Sequence, residues 1–470
     1  MIKNRYKSFP IAVKASAWYA LSNVLIKGTS FFTIPIFSRV MSVSDFGKYN
    51  LFLSWNSIFT IFLTLNLSMG VFVKGMTKYE DDREVYTSSM ELLTICLFIF
   101  WVLVFIFFQK QFTKLTGLPL SILLLMSVQI LCISAVNFWF TRLRFDFKYK
   151  QYVLISLIIG VGTPVINLIA ILLVKNDYTT IIYSFVFFQS FIGLFFVVKN
   201  LKKVPKRKLY SHWKYALNFN LPLIPYYLSQ ILLDQVDRVM IGNSLGDSEV
   251  ALYNVPYQIS MALTIVSASI SNSLVPLIHR KLKDKTEENL RAPFQFILIF
   301  LFLICQIVIL FAPELIGFLA PKSYKKSVFV VAPVLISMLV KFIIDIFTNT
   351  EFYFEYRKIS LISMIIACLS NIFLNQLLLP KFGFIVAGYT TLFSFILALS
   401  IHMIMLKRRD KKTFFDYLLI VKILLISTSF VLLSQLLFNY ALLRYTLVTC
   451  LVIYIFSIRK KIFEIRGMQL

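Results

Sequence analysis

Charged residues are scarce in this chain of 470 residues. Asp, Glu, Lys and Arg make up 15% of it, against about a quarter in soluble domains. Hydrophobic residues make up 59%, and the mean hydropathy is +0.79. Apolar runs of about 20 residues, long enough to cross about 30 Å of hydrocarbon, follow one another along the chain. These values exclude a water-soluble globular protein and predict an all-α polytopic membrane protein.

Cysteine and histidine are also rare, and neither forms a spaced set. The five cysteines lie within apolar segments, and the three histidines are isolated near segment ends. This pattern excludes a disulfide framework and a metal site of regular spacing, so we predict no cofactor and no metal. The residues are Cys96, Cys132, Cys305, Cys368, Cys450, His212, His279 and His402.

Hydropathy divides the chain into about 14 candidate transmembrane helices. They cover residues 15–37, 47–72, 90–108, 119–140, 152–174, 179–198, 215–242, 252–277, 293–313, 328–348, 359–379, 385–406, 418–438 and 442–458.

The Lys and Arg residues outside these spans fix an orientation. With the N-terminus inside, 34 of the 48 lie on the cytoplasmic side and 10 on the outer side, where Lys48 and Arg444 are counted at the ends of their spans. Such an excess in short loops predicts that both termini are cytoplasmic. The formal net charge of +26 is then explained by loops that face an anionic leaflet, and nucleic acid is not an expected partner.

An internal repeat predicts two lobes. Ser44–Asn50 returns as Ser248–Asn254, with Ser, Tyr and Asn unchanged. The most basic connector, Lys199–Lys208, follows the sixth span. Six spans return the chain to the same side, so the lobes are predicted to be parallel repeats. The predicted domains are an N-terminal lobe (1–198), a basic cytoplasmic linker (199–214), a C-terminal lobe (215–406) and a helix pair with a cytoplasmic tail (407–470).

Every predicted outer loop is short, the longest covering about 314–328. A membrane glycan polymerase or glycosyltransferase usually needs larger outer loops for its catalytic site. We therefore predict that the protein is not an enzyme.

The seventh span carries the densest charge inside an apolar segment. Asp234 and Arg238 are four residues apart and share a helix face, and Asp237 lies one turn from Asp234. A charge at the bilayer centre costs at least about 2.5–3.5 kcal/mol, and its default interpretation is functional. Structural pairing between helices is the alternative for this group.

Two other spans carry mid-membrane charges. Lys341 and Asp345 repeat the four-residue spacing in the tenth span, and Lys27 stands near the middle of the first with no carboxylate within a turn. Because a lone buried cation needs water or an anionic ligand, we favour a functional role for Lys27.

Two stretches resemble a known family. Phe32–Leu51, with Arg39, Asp45 and Gly47, resembles the opening of Wzx-type polysaccharide flippases, which translocate lipid-linked oligosaccharides. Asp237–Gly242 with Glu249–Asn254 is similar to the signature that opens their second lobe. These flippases belong to the multidrug/oligosaccharidyl-lipid/polysaccharide exporter superfamily, which also has a fold of two bundles.

The resemblance implies a function and a location. The expected activity is movement of an undecaprenyl-diphosphate-linked repeat unit from the inner to the outer leaflet of the bacterial cytoplasmic membrane, for capsule, O-antigen or a similar glycan. Alternating access would use a cationic central cavity. H⁺ and Na⁺ are the candidate coupling ions, and the substrate gradient itself is the alternative driving force. The predicted substrate-binding residues are Lys27, Arg39, Asp234, Asp237, Arg238, Lys341 and Asp345.

Two other transport functions stay open. A lipid II flippase is hardly distinguishable by sequence. A cation-coupled multidrug exporter of the same fold is disfavoured, because the first-lobe spans hold Lys27 and no mid-membrane carboxylate.

Overall fold

The computed structural model describes residues 11–202, 204–409 and 414–466, and within these ranges the regular structure is helical. Ten helices are long and apolar enough to cross a membrane, and Ala441–Tyr454 is a shorter apolar helix. The predicted fold class, an all-α polytopic membrane protein, is confirmed.

The chain divides into two compact units, Met1–Val239 and Met240–Leu470. We call them the first and the second unit. The first contains α1 (Ile11–Val40), α2 (Val43–Thr64), α3 (Gly70–Lys78), α4 (Arg83–Phe107), α5 (Gln109–Thr116), α6 (Leu120–Phe145), α7 (Tyr149–Leu173), α8 (Tyr178–Asn200) and α9 (Lys206–Asn220). The boundary lies within α10 (Ile224–Leu245).

The second unit contains the other α-helices of the described ranges. They are α11 (Asp247–Lys283), α12 (Arg291–Leu310), α13 (Ala312–Leu319), α14 (Val328–Tyr353), α15 (Arg357–Phe382), α16 (Ile385–Arg409), α17 (Tyr417–Leu437) and α18 (Ala441–Arg466). The domain boundaries predicted above, including the linker 199–214, stay a prediction.

The predicted second span crosses a break in the helix. α2 ends at Thr64, and the next two residues, Leu65 and Asn66, have φ of 47° and 52°. Residues other than glycine rarely adopt this left-handed backbone conformation. Contacts with other parts of the chain are therefore needed to stabilise the break. Part of that support comes from Asn220, whose buried Nδ2 donates to the Leu65 carbonyl at 2.6 Å.

The predicted seventh span, 215–242, is also interrupted. α9 ends at Asn220, a 3₁₀ turn covers Leu221–Leu223, and α10 begins at Ile224. Pro222 lies inside that turn, where its missing N–H prevents a continuous α-helix. The membrane-length helix here is therefore α10 alone, and α9 is a separate helix that begins at Lys206.

The core of the first unit joins its short helices to its long ones. A buried cluster links α3 and α4 to α6 and α9 through Phe72, Tyr86, Phe138 and Ala216. α6 and α8 approach closely at Gly193, where an added Cβ would lie 2.7 Å from the backbone of Cys132. The packing of α2, α6 and α8 positions the polar side chains described below.

The second unit is built around one buried helix. In the apolar 18-residue window of the span that includes α14, 89% of the residues are buried. α14 packs against α11, α12, α15, α16 and α17. The C-terminal pair, α17 and α18, packs on α12. Arg444 of α18 holds this arrangement: its guanidinium donates to both carboxylate oxygens of Glu314, at 2.7 and 2.8 Å.

Candidate functional site

A polar cavity of about 360 Å³ lies within the first unit. Its walls come from α2, the break after α2, α6 and the first turns of α10. This volume falls in the usual range of small-molecule sites. The lining residues are Asn56, Ser57, Thr60, Ile61, Thr64, Asn66, Ser68, Met69, Gln129, Ile130, Ile133, Ser134, Asn137, Tyr227, Gln230 and Ile231.

The polar groups of this cavity are neutral. Amides and hydroxyls line it, and none of its described lining residues is Lys, Arg, Asp or Glu. The side-chain amides of Asn66, Asn137 and Gln230 make no hydrogen bond within the described part of the chain. Each of these amides offers both donors and an acceptor to a ligand. The cavity can therefore recognise an uncharged polar molecule.

A chain of amides fixes one wall. Asn56 Nδ2 donates to Gln129 Oε1 at 2.7 Å, and Gln129 Nε2 donates to Gln189 Oε1 at 2.6 Å. Gln189 Nε2 then reaches Thr163 Oγ1 at 3.3 Å. These bonds join α2, α6, α8 and α7, in a setting where no lipid group could replace a lost partner. The wall is thus rigid on the side of Gln129.

The charged residues predicted in the seventh span lie on the helix that supplies the opposite wall. Tyr227, Gln230 and Ile231 of α10 line the cavity. Asp234 follows Gln230 by four residues, so it continues the same helix face one turn beyond the lining. Arg238, 4% exposed, donates from Nη1 to the Asp234 carbonyl at 2.7 Å and to Gln235 Oε1 at 3.2 Å.

The other predicted site residues fall into different places. Asp237 is also buried, with 1% exposure, beside Arg238 in α10. Lys341 and Asp345 lie on α14 of the second unit and are half-buried. Lys341 Nζ stands 6.0 Å from the centre of the Phe395 ring. Of the predicted site residues, Asp234, Asp237 and Arg238 form one group, on α10 in the first unit.

Two predicted residues belong to α1. Arg39 lies in its last turn, is exposed, and donates from Nη1 to the Pro35 carbonyl at 2.9 Å. Lys27 lies in the middle of the same helix. The side chain of Lys27 lies outside the residues that the structure describes.

A basic aromatic groove was not found by sequence reasoning. It is an open pocket of about 600 Å³ formed by the end of α3 and by α9. Lys78 Nζ lies 4.1 Å from the Tyr215 ring centre, and Lys74 Nζ lies 4.7 Å from that of Phe219. Burial lowers the pKa of the neighbouring His212, so its ring adds no charge to the groove near neutral pH.

The residues that line the polar cavity were also missed by sequence reasoning. Sequence reasoning searched for charges, whereas this cavity is made of amides and hydroxyls. The available signal was the presence of Asn56, Gln129, Asn137 and Gln230 inside or beside apolar spans.

Comparison with known proteins identifies the family. The model of the polysaccharide biosynthesis protein family matches residues 12–282, more than half of the chain. The chain belongs to this family. The matched region contains the whole cavity lining, and the predicted family resemblance is confirmed.

The chain is similar to membrane proteins of a bacterium and of an archaeon. An uncharacterised membrane protein of Haemophilus influenzae is 23% identical over 58% of this chain and 66% of its own length. The Lsg locus putative protein 1 of the same organism is 21% identical over 58% of this chain and 67% of its own. The alignments thus span about two thirds of these relatives. An uncharacterised membrane protein of Methanocaldococcus jannaschii is 23% identical over 82% of both chains.

Solved structures show the fold. The lipid II flippase MurJ in an inward closed conformation covers 95% of this chain, all of its own chain, with a TM-score of 0.71 and 16% identity. An inward-facing multidrug resistance transporter of the MATE family covers 83% of this chain and 98% of its own, with a TM-score of 0.66 and 11% identity. This protein therefore has the fold of these transporters.

Proposed function

We propose that this membrane protein moves an undecaprenyl-diphosphate-linked oligosaccharide from the inner to the outer leaflet of the bacterial cytoplasmic membrane. The product would be used for capsule, O-antigen or a similar surface polysaccharide. Membership of the polysaccharide biosynthesis family supports the glycan pathway. Alternating access driven by an H⁺ or Na⁺ gradient is the proposed mechanism.

The observation that carries this proposal is the neutral cavity of the first unit. Sugar hydroxyls donate and accept hydrogen bonds, as do the amides of Asn66, Asn137 and Gln230. A site that bonds hydroxyl groups discriminates strongly, because its buried polar groups lose their partners when those hydroxyls are missing. A cationic drug would instead need carboxylates in the lining. The cavity therefore favours a glycan over a cationic drug.

The diphosphate of the substrate requires cations. We assign this role to Lys27, Arg39, Arg238 and Lys341, and Asp234, Asp237 and Asp345 would balance their charge in the absence of substrate. Arg238 follows Gln230 on α10 by about two turns, so one helix would serve both the sugar and the diphosphate. The lipid tail would remain in the bilayer.

The groove formed by α3 and α9 supplies further cations for the same head group. Lys78 and Lys214 border it together with Tyr79 and Tyr210. A lysine near an anionic surface contributes about 1 kcal/mol to its binding. We assign this groove to the first encounter with the diphosphate.

Complementation tests the proposed function. A bacterium that lacks its own polysaccharide flippase accumulates the lipid-linked intermediate, and this chain is expected to remove that accumulation. A variant with Asn137→Leu and Gln230→Leu is expected to transport at least about tenfold more slowly at normal abundance, because it loses cavity amides without losing a bond within the protein. Continued accumulation with the wild-type chain would contradict the proposal.

Lipid II transport is the second candidate. The fold similarity to the lipid II flippase MurJ extends over 95% of this chain, and lipid II also joins sugars to a polyprenyl diphosphate. Complementation of a strain depleted of its lipid II flippase separates the two functions. We expect no growth there and full relief of the polysaccharide intermediate in the first strain.

A further inference from the structure

A glutamate and a histidine are bonded to each other inside the second unit. Glu351 lies near the end of α14 and His402 lies in α16, and both side chains are 0% exposed. His402 Nδ1 stands 2.6 Å from Glu351 Oε1. Ionisable side chains are almost never fully buried without a partner, so the pair holds its charge or its proton away from water.

Two serines of α15 complete the arrangement. Ser360 Oγ donates to Glu351 Oε2 at 2.6 Å, and Ser363 Oγ lies 2.8 Å from His402 Nε2. Within the described part of the chain, these and the Glu351–His402 contact are the hydrogen bonds of the two ionisable side chains. We call Glu351, Ser360, Ser363 and His402 the Glu–His cluster. It joins α14, α15 and α16.

The hydroxyl of Ser363 has two places for its hydrogen. It can donate to His402 Nε2 at 2.8 Å, or to the Ser360 carbonyl at 3.1 Å. In the first case His402 is a neutral ring. In the second case Nε2 carries a hydrogen and donates it to Ser363. With Nδ1–H still donating to the Glu351 carboxylate, the ring is then doubly protonated. Every polar group has a partner in both arrangements.

The two arrangements differ by one proton and by one unit of charge. With the neutral ring, the carboxylate gives the cluster a net charge of −1. With the protonated ring, carboxylate and imidazolium cancel. An uncompensated charge is costly in a buried site, and Glu351 supplies the compensating charge for the protonated ring.

We propose that the Glu–His cluster is a binding site for one proton. His402 Nε2 takes up the proton, Glu351 compensates its charge, and rotation of the Ser363 hydroxyl keeps all hydrogen bonds in both states. Proton uptake thereby changes the net charge at the point where α14, α15 and α16 meet.

A nucleophilic role for Ser363 does not fit the same geometry. The order of hydroxyl, imidazole and carboxylate is that of a hydrolase triad. Ser363 is 0% exposed, so no substrate reaches its oxygen. A proton needs no open pocket. Glu351 lies two residues from the end of α14, beside the exposed Phe352 and Tyr353, so a small local opening of this helix end gives a proton access to the cluster.

Other ionisable groups surround the cluster without bonding to its two ionisable side chains. His279 Nε2 of α11 lies 3.4 Å from the Asn349 carbonyl of α14, and Asp416 at the start of α17 pairs with Arg291 of α12 at 3.1 Å. Further ionisable groups that lie close to the cluster along these helices are Asp345, Tyr353, Glu355, Arg357, Lys358, Lys407, Arg408 and Tyr417.

Nitrogen NMR of the histidine ring tests the proposal directly. The chain has three histidines, so a variant with His212→Gln and His279→Gln retains His402 alone. In liposomes, the ¹⁵N signals of His402 are expected to change from a neutral to a doubly protonated ring between about pH 9 and about pH 5. A ring that keeps one state over this range would overturn the proposal.

Substitutions in the same background test the assigned roles. Ser363→Ala removes the acceptor of the charged Nε2–H, so proton binding is expected to weaken about tenfold, which moves the midpoint about one pH unit lower. Ser337→Ala is the matched control: Ser337 is also buried in this unit but donates to the Pro333 carbonyl, and its midpoint should not move. An unchanged midpoint in Ser363→Ala would overturn the proposal.

The link to transport rests on the proposed function. If the site supplies the coupling proton, Ser363→Ala should shift the pH dependence of transport by the same factor as the NMR midpoint. A titrating His402 in a protein that transports no lipid-linked glycan would leave the proton site intact and contradict the proposed function alone.

Discussion

Each unit buries one glutamate and one histidine among its described residues, but the two units bond them differently. In the first unit, Glu91 accepts a hydrogen bond from Asn200 at 3.0 Å, and His212 is bonded separately to Ser89 at 2.9 Å. In the second unit, Glu351 and His402 are bonded to each other. All four are at most 2% exposed. The first unit keeps its carboxyl and imidazole apart, and the second unit pairs them.

The difference shows how the same residue types support different tasks. A buried carboxyl beside an amide has no imidazole with which to form a charge-compensated pair. A carboxyl beside an imidazole compensates the charge of the ring when the ring takes up a proton. On the proposed function, neutral groups of the first unit recognise the glycan, and on the proposed proton site the second unit takes up the proton.

The largest expected effect comes from the buried ion pair of the second unit. Arg444→Met leaves Glu314 without its bidentate partner, and the Leu310 carbonyl loses its 2.6 Å bond. Because Glu314 is partly exposed, we expect a loss of about 2–3 kcal/mol in the free energy of unfolding in mixed micelles. Lys148→Met, which breaks the exposed pair with Asp146 in the first unit, should cost at most about 1 kcal/mol. Equal losses would contradict the comparison.

The two buried glutamates should respond differently to the same change. Glu351→Gln replaces the charge-assisted bond to His402 with a neutral one, in which the amide N–H donates to Nδ1 and the ring carries its hydrogen on Nε2, so stability should fall by about 1 kcal/mol. Glu91→Gln keeps an oxygen for Asn200, and the other carboxylate oxygen has no partner. Its stability should change by about 0.5 kcal/mol or less. Chemical unfolding in mixed micelles measures both, and a larger loss for Glu91→Gln would reverse the assignment.

Two glutamines of the first unit should affect stability and transport differently when each is replaced by leucine. Gln189→Leu removes bonds to Gln129 and Thr163 but substitutes no lining residue, and Gln129 keeps its bond from Asn56. We therefore expect a loss of about 1 kcal/mol with most of the transport retained. The matched variant Gln230→Leu should show the opposite, with transport reduced and stability unchanged. Thermal unfolding and complementation in the same strains provide both readings. Loss of transport in both variants would show that the cavity has no specific role.

The smallest expected effect concerns the isolated histidine. Burial lowers the pKa of His212 below its ordinary value of 6.5, so below that pH the unfolded chain binds the proton more readily than the folded one. Folding stability should therefore fall as the pH drops from about 7.5 to about 5.5. His212→Gln should remove this contribution, seen as a flatter dependence of melting temperature on pH. A steeper dependence would contradict the assignment.

Hydropathy predicts the long helices well, because an apolar run of membrane length has few other stable structures. It fails at Leu65 and Asn66, where no Gly or Pro marks a break. The local sequence is apolar enough to continue as a helix, and the break is supported by Asn220, which lies far along the chain. A contact of this kind has no signature in a window of neighbouring residues.

The candidate sites show the same limit. The charged turn of α10 was predicted, because a charge inside an apolar run is conspicuous. The bond between His402 and Glu351 was not predicted, because the two residues are 51 positions apart on different helices. The cavity amides were missed because uncharged polar residues alter hydropathy only slightly. The role of Lys27 stays a prediction.

Translocation in reconstituted vesicles tests the central claim most directly. A polyprenyl-diphosphate oligosaccharide is placed in one leaflet, and its sugar is detected on the other side with a lectin. The account predicts that the protein exposes the sugar much faster than protein-free vesicles do, and that the Asn137→Leu/Gln230→Leu variant loses most of this acceleration. Equal rates with and without the protein, at a pH gradient of either direction, would contradict it.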